Sequence, residues 1–357
     1  MKKICVSTYC DWNNYGSMMQ TIGLKTMLTE LGYKSIVVQD KPAPASKLQF
    51  SLHICKNPMA TIKNIYSYTK RKKIAAKYEN TLNFMRDNID ISYYNDYDVL
   101  KNNPPYADFY IAGSDQIWRP QSCHPVFFLD FVPEGKKRIS YAASMGNTNI
   151  PENKIQVFKD FVNKFDHISV REKDNAECIK EIVGKEAQIH IDPAYLNDVE
   201  QWRKYEKPYD IKGPYILLYA LYWDKKLNKE LKRLHKKTGL PIVAICNGLS
   251  RAWANKKLFD VDPGQFLWLI DHAEAVISSS FHGVSLSIIF NKKLAAVINP
   301  ALPSRITNIL KNLEVENSTI EKVFDADTSF YENTNKLILN QKQKSIDYLK
   351  KVLRDDE

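Results

Sequence analysis

Short apolar runs alternate with segments of helical spacing along most of this 357-residue chain, and the alternation starts afresh after a break at residues 208–214 marked by Pro208, Gly213 and Pro214. Runs at 3–8, 35–38, 107–112, 138–143, 167–170 and 188–191 read as strands, because each is short, rich in β-formers and bounded by turn residues. Between them, residues 17–31 carry Met18, Ile22, Leu24, Met27, Leu28 and Leu31 at helical spacing, and 151–165 and 175–183 read as further helices. After the break come strands at 215–219, 241–245, 275–279 and 294–298, with helices at 225–237, 264–271 and 284–290. Strands separated by helices demand parallel sheets with helices on both faces. The expected fold class is therefore α/β, with two Rossmann-like doubly wound domains facing a cleft. At about 100–200 residues per domain the length accommodates two.

Composition narrows the class further. A chain that is 44% hydrophobic and 26% charged is too apolar to be disordered. No run approaches the roughly 18 apolar residues of a membrane span. The opening MKKICVSTYCDWNNYG turns polar after Ser7, so a chain without a signal peptide is expected. Six scattered cysteines, with no CxxC pair and no histidine at ligand spacing, predict reduced thiols, a cytoplasmic protein and no metal site.

The net charge of +10 is unevenly distributed. Residues 41–80 hold nine basic residues against Glu79 alone, a net +8, which leaves +2 for the other 317. No nucleic-acid motif accompanies them, and nucleic acid is not an expected partner. Lys70-Arg-Lys-Lys73, interleaved with Ile62, Ile65, Tyr66 and Tyr68, suits either anionic lipid headgroups or a solvated helix face.

The strand ends carry the candidate chemistry. Asn13, Asn14, Gly16 and Ser17 follow the first strand, where a helix N-terminus offers N–H groups to a phosphate or a sugar hydroxyl; capping by one amide is the alternative. The loop lacks GxGxxG, so a dinucleotide is not supported. Gly113-Ser114-Asp115-Gln116-Ile117-Trp118 ends another strand: Asp115 can take a proton from a hydroxyl, and Gln116 and Trp118 can hold a sugar, unless this is an Asx turn with Trp118 packed inside. Ser144 and Gly146 sit at a similar end and suit close packing. Arg171 offers a fork for a carboxylate or phosphate, or pairs with a nearby acid. Asp192 ends its strand in a structural role. The sharpest signal is Ser278-Ser279-Ser280-Phe281-His282-Gly283, where hydroxyls and N–H groups at a helix start form an anion site and His282 can transfer a proton near neutral pH. No GxSxG elbow supports a serine hydrolase.

Taken in series, NNYGSMMQTIGLKTMLTELGY, YIAGSDQIW, ISYAASMG, ISVREKDN, IDPAYL, ISSSFHGVSLSIIFNKKLAAV and SRITNIL resemble the polysaccharide pyruvyl transferase family, from about residue 4 to 313. The resemblance implies a glycosyltransferase-B-like fold, phosphoenolpyruvate as co-substrate with no other cofactor, and a sugar or lipid-linked oligosaccharide acceptor that receives a pyruvate ketal. It implies an acceptor-side domain at 1–207 with a basic helical insertion at 41–100, a donor-side domain at 208–334, and a helix at 335–357 returning to the first. It places His282 and Asp115 in catalysis, Arg171, Ser279, Ser280, Gly283 and Arg305 at the donor, and Asn13, Asn14, Gly16, Gln20, Ser114 and Gln116 at the acceptor. The family's Arg-Leu-His turn is here Ser280-Phe281-His282, and Arg305 is the compensating guanidinium. A lipid-linked acceptor would bring residues 41–80 to the inner face of the membrane. A nucleotide-sugar glycosyltransferase and a non-catalytic binding homologue are the alternatives.

Overall fold

A computed structural model describes residues 1–46, 58–246, 252–300 and 304–354, without the side chains of 58–67 and 304. Lys47, Cys55, Lys56, Lys63 and the apolar residues Ile62, Ile65 and Tyr66 of the basic segment lie outside the described residues or side chains.

Seven strands belong to the first domain: β1 (Lys3–Ser7), β2 (Lys34–Gln39), β3 (Ile91–Tyr93), β4 (Phe109–Ala112), β5 (Arg138–Ser140), β6 (Ser169–Val170) and β7 (Gln188–Ile189). Five belong to the second: β8 (Ile216–Tyr219), β9 (Ile242–Ile245), β10 (Lys256–Leu258), β11 (Ala275–Ser278) and β12 (Lys293–Ala296). The helices are α1 (Tyr15–Glu30), α2 (Pro58–Asn88), α3 (Tyr97–Asn102), α4 (Ile155–Asn163), α5 (Lys173–Val183), α6 (Val199–Arg203), α7 (Lys225–Thr238), α8 (Pro263–Asp271), α9 (Phe281–Ile289), α10 (Ser304–Asn312) and α11 (Tyr331–Val352).

The two main sheets repeat one order, β3-β2-β1-β4-β5 and β10-β9-β8-β11-β12, and every pairing in them is parallel. A parallel bridge from Ile139 to His167 carries the first sheet on toward the β6–β7 pair. In such an order the chain leaves the central strand in opposite directions, opening a crevice at the strand ends between β1 and β4 and between β8 and β11. These are two Rossmann-like domains. Residues 138–143 form a shorter strand than the sequence predicts, because the chain bends after Ser140 and keeps only single bridges.

Helix α1 seats the domains on each other. It is buried on every side from Tyr15 to Leu24, and two glycines let backbone and rings approach it. A Cβ on Gly23 would strike the Pro193 carbonyl oxygen at 2.1 Å. Tyr15 crosses to the second domain, stacking on Phe266 at 4.5 Å and donating its hydroxyl proton to the Val261 carbonyl at 2.7 Å. Helix α11 begins at Tyr331, four residues before the expected start, and packs on the first domain: Tyr348 donates to the Ser140 carbonyl and Tyr33 to that of Leu353.

Helix α2 also spans the two domains. Lys73 pairs with Asp260 at 3.4 Å, Lys70 lies over the Phe259 ring, and Lys77 is buried over the Tyr15 ring. Part of the basic segment is thus engaged by the protein itself. No helix among the described residues is long and apolar enough to cross a membrane.

Candidate active site

The turn from β11 into α9 builds the centre of the site. Ser278 donates to the Tyr219 carbonyl and accepts from Ser280 N–H, and Ser280 caps α9 by accepting from Gly283 N–H. With Ser280 as cap, the helix starts at Phe281, three residues earlier than the apolar spacing suggests. His282 therefore stands in its first turn. There it meets α1 of the other domain: a Cβ built on Gly16 would lie 2.2 Å from His282 Nδ1.

The other imidazole nitrogen, Nε2, is buried and lies 3.5 Å from Asp192 Oδ2. Asp192 is fully buried; its Oδ1 accepts from Ala194 N–H at 2.9 Å and its Oδ2 from Arg171 Nη1 at 2.6 Å. Burial opposes ionisation of Asp192, but His282 and Arg171 outweigh it and hold the carboxyl well below its ordinary range. This pairing orients the imidazole with Nε2 toward Asp192 and Nδ1 at the Gly16 side.

Arg171 also binds Glu172 at 2.8 Å, and its guanidinium lies over the Phe281 ring at 4.3 Å. Its Nε and Nη1 are taken by Glu172 and Asp192, as the pairing alternative has it, while Nη2 is buried without a hydrogen-bond partner. Arg171 anchors Asp192 and does not line the polar cavity between the sheets. Arg305, in the first turn of α10, lies over the same ring at 5.0 Å and 3.5 Å from Asp115. Burial and the like charge of Arg171 push its pKa down, and its Nε is buried without a hydrogen-bond partner. A guanidinium so poorly compensated favours an incoming anion.

Asp115 has a positive φ of 72° at the end of β4, which turns its carboxylate toward Arg305. Burial works against its charge, but His282, Arg305 and Arg171 together lower its pKa. These groups surround a polar cavity of about 360 Å³ at the crevice between the sheets, lined by Tyr9, Asn14, Gln116, Arg119, Ser280 and Phe281 besides Asp115, His282 and Arg305. Each of the four central loops supplies a residue, since Leu221 after β8 completes the wall.

Several expected site residues serve the frame instead. Gln20 is buried, and its Nε2 lies within hydrogen-bond reach of Thr8 Oγ1, Thr21 Oγ1 and the carbonyls of Tyr9 and Ser17, so that its two N–H groups tie down the β1–α1 loop. Ser114 donates to the Ala142 carbonyl. Asn13 is exposed and outside the cavity lining, while Asn14 both caps α1 and lines the cavity. Ser279 Oγ accepts from Leu221 and Tyr222 N–H, and Gly283 is small because a Cβ there would lie 2.4 Å from Ser278 Oγ. Gly16 is a seat for His282 and does not line the cavity. Trp118 is fully buried on Phe128 and Phe165, so it stacks on no sugar.

Arg119 is a contributor that the motifs did not reveal, and Asp192, expected in a structural role, sits beside His282. Arg119 follows the strand-end motif by one residue and donates to Gln116 Oε1, and its proximity to GSDQIW was the available signal. Apart from the cavity, Glu206, Asp271 and His272 bring ligand atoms within 4.8 Å of one another, with Asp271 held by Arg203 at 2.8 Å.

The fold resembles solved sugar-nucleotide enzymes at low identity. A UDP-GlcNAc 2-epimerase from Neisseria meningitidis bound to UDP-GlcNAc is 12% identical with a TM-score of 0.54, over 98% of this chain and 100% of the other. The Streptomyces sp. SF2575 glycosyltransferase SsfS6 is 12% identical with a TM-score of 0.40, over 99% and 100%. At such identities the likeness concerns the fold alone; with the two parallel sheets of one strand order, the likeness to the epimerase is that of a glycosyltransferase-B type fold. A search of curated proteins finds no match. The sequence profile of polysaccharide pyruvyl transferases matches residues 14–300, most of the chain, and takes in the cavity lining except Tyr9 and Arg305. The chain belongs to the polysaccharide pyruvyl transferase family, a family of transferases.

Proposed function

We propose that this protein transfers the pyruvyl group of phosphoenolpyruvate to two hydroxyls of one sugar in a cell-surface polysaccharide or its precursor, forming a ketal and releasing phosphate. The observation that carries the reading is the under-compensated Arg305 beside His282 in a cavity that also receives Arg119. A donor with a carboxylate and a phosphate suits two guanidiniums, and a proton donor between them suits its enol carbon.

In this mechanism His282, as imidazolium, delivers a proton from Nδ1 to the methylene carbon, and carbon 2 becomes oxocarbenium-like. One acceptor hydroxyl adds to carbon 2 and passes its proton to Asp115. The lowered pKa of Asp115 makes it a weak base, adequate here because the hydroxyl becomes acidic only as its bond to carbon 2 forms. The second hydroxyl then displaces phosphate as the bond from carbon 2 to the phosphate oxygen breaks; its proton goes to the now neutral His282, and Asp115 returns the first proton to the departing phosphate. Arg305 and Arg119 balance the departing phosphate charge. Asn14 and Gln116, which line the cavity, bind acceptor hydroxyls in this reading.

A lipid-linked acceptor would bring the exposed Arg71 and Lys72 of α2 to an anionic membrane from the cytoplasmic side. Flotation with anionic liposomes tests that part, since substituting residues 70–73 should reduce binding. For the chemistry, phosphate release from phosphoenolpyruvate with a pool of bacterial glycans should be lost in folded His282→Ala. Full release by that variant would refute the mechanism.

A further inference from the structure

A second and larger cavity, about 560 Å³, opens on the second domain beside the end of β12 and the start of α7. Its wall toward the catalytic cavity is the two-residue ridge Leu221–Tyr222, with Leu221 lining one side and Tyr222 the other. The ridge is fixed: both its N–H groups donate to Ser279 Oγ, at 2.8 and 2.9 Å, and Ser279 belongs to the turn that carries His282. Leu221 is nonetheless 62% exposed, an aliphatic surface between two polar hollows.

The chemistry of the second cavity is mixed. Tyr222 supplies an aromatic ring with a polar tip held by Asp224 at 3.2 Å, and Glu230, Lys226 and Thr319 supply carboxylate, ammonium and hydroxyl. Asn317 stiffens the floor by bonding both the N–H and the carbonyl of Ala296. An aromatic face with a few placed polar groups suits a ring that is apolar on its faces and hydroxylated at its rim. In the proposed function a three-carbon donor and one pyranose share the catalytic cavity of about 360 Å³. A polymeric acceptor has to place its next units elsewhere.

We propose that this second cavity is a glycan subsite that takes the sugar unit next to the one being modified, with the acceptor chain crossing Leu221. The inference rests on the polymeric acceptor of the proposed function and assigns acceptor contacts to the second domain. Binding without phosphoenolpyruvate tests it, using an array of bacterial polysaccharide fragments of one to six sugar units. Affinity should rise about tenfold from one unit to two or three, and Tyr222→Ala and Glu230→Gln should each reduce that gain while leaving stabilisation by phosphoenolpyruvate unchanged. Fragments that bind no tighter than single sugars, or a gain that survives both substitutions, would overturn the subsite. A protein that transfers no pyruvate yet keeps the length dependence would instead refute the chemistry and leave the subsite standing.

Discussion

Gly16→Ala isolates the link between the two domains and the proton donor. The added Cβ would lie 2.2 Å from His282 Nδ1, 2.6 Å from Cγ and 2.9 Å from Cβ, where ordinary contact begins at 3.4 Å. The imidazole must move by at least the difference between 3.4 and 2.2 Å, about 1.2 Å, or the helices must part by that much. A shift near 1 Å at a reacting group costs about 10²-fold in rate. Stability should change little, because overpacking costs about 1–3 kcal/mol and alanine regains roughly 1 kcal/mol over glycine in a helix. The assay is phosphate release from phosphoenolpyruvate with a glycan pool, beside thermal unfolding and the NMR signals of the His282 ring nitrogens. The expected result is a folded protein with turnover down about 100-fold and a displaced Nδ1 resonance. Wild-type turnover in folded Gly16→Ala would refute the claim that Nδ1 is the working nitrogen.

Asp192→Asn should lower turnover by about 10²-fold or more with less effect on KM for phosphoenolpyruvate, and should cost up to about 3 kcal/mol, because Arg171 keeps only Glu172; steady-state kinetics and denaturant melts check both. Burial and the neighbouring Asp271 raise Glu206 from 4.5 to about 7. Its favourable contribution is complete below 4.5 and lost as pH rises through 7, so Glu206→Gln should flatten the fall in melting temperature over that window. Burial and Lys344 lower His190 from 6.5 to about 4. Stability from its neutral ring, bonded to Ser169 and packed on Tyr348, is complete above 6.5 and lost toward pH 4. His190→Gln should remove that acid-side loss, and a pH series of melts that is unchanged would contradict the assignment.

The alternation of strands and helices was legible because each step is local. Capping acids such as Asp224 and Asp262 stand beside the apolar runs they start, and the second domain repeats the rhythm of the first. That His282, Asp115, Asn14 and Gln116 gather at one cavity was legible for a related reason: in a doubly wound fold, polar residues just past strand ends meet at the crevice. Arg305, in α10, was singled out only by the resemblance. What escaped depends on contacts between distant residues. Nothing near Arg171 says that Asp192, 21 positions on, will occupy it. Gly16 reads as part of a ligand loop until the ring of His282 is placed against it from the other domain. Gln20 reads as a sugar contact until its amide turns inward to hold its own loop. The basic segment was legible as a charge cluster, but its pairing with Asp260 and Phe259 needed the second domain in position.

The central claim is that this cavity moves pyruvate from phosphoenolpyruvate to a glycan. Mass spectrometry of acceptor glycans after incubation with carbon-13-labelled phosphoenolpyruvate tests it most directly. The account predicts a labelled ketal on the glycan, one phosphate released per ketal, and neither product with His282→Ala. Glycans left unlabelled by phosphoenolpyruvate but extended by a sugar from a nucleotide-sugar donor would contradict it.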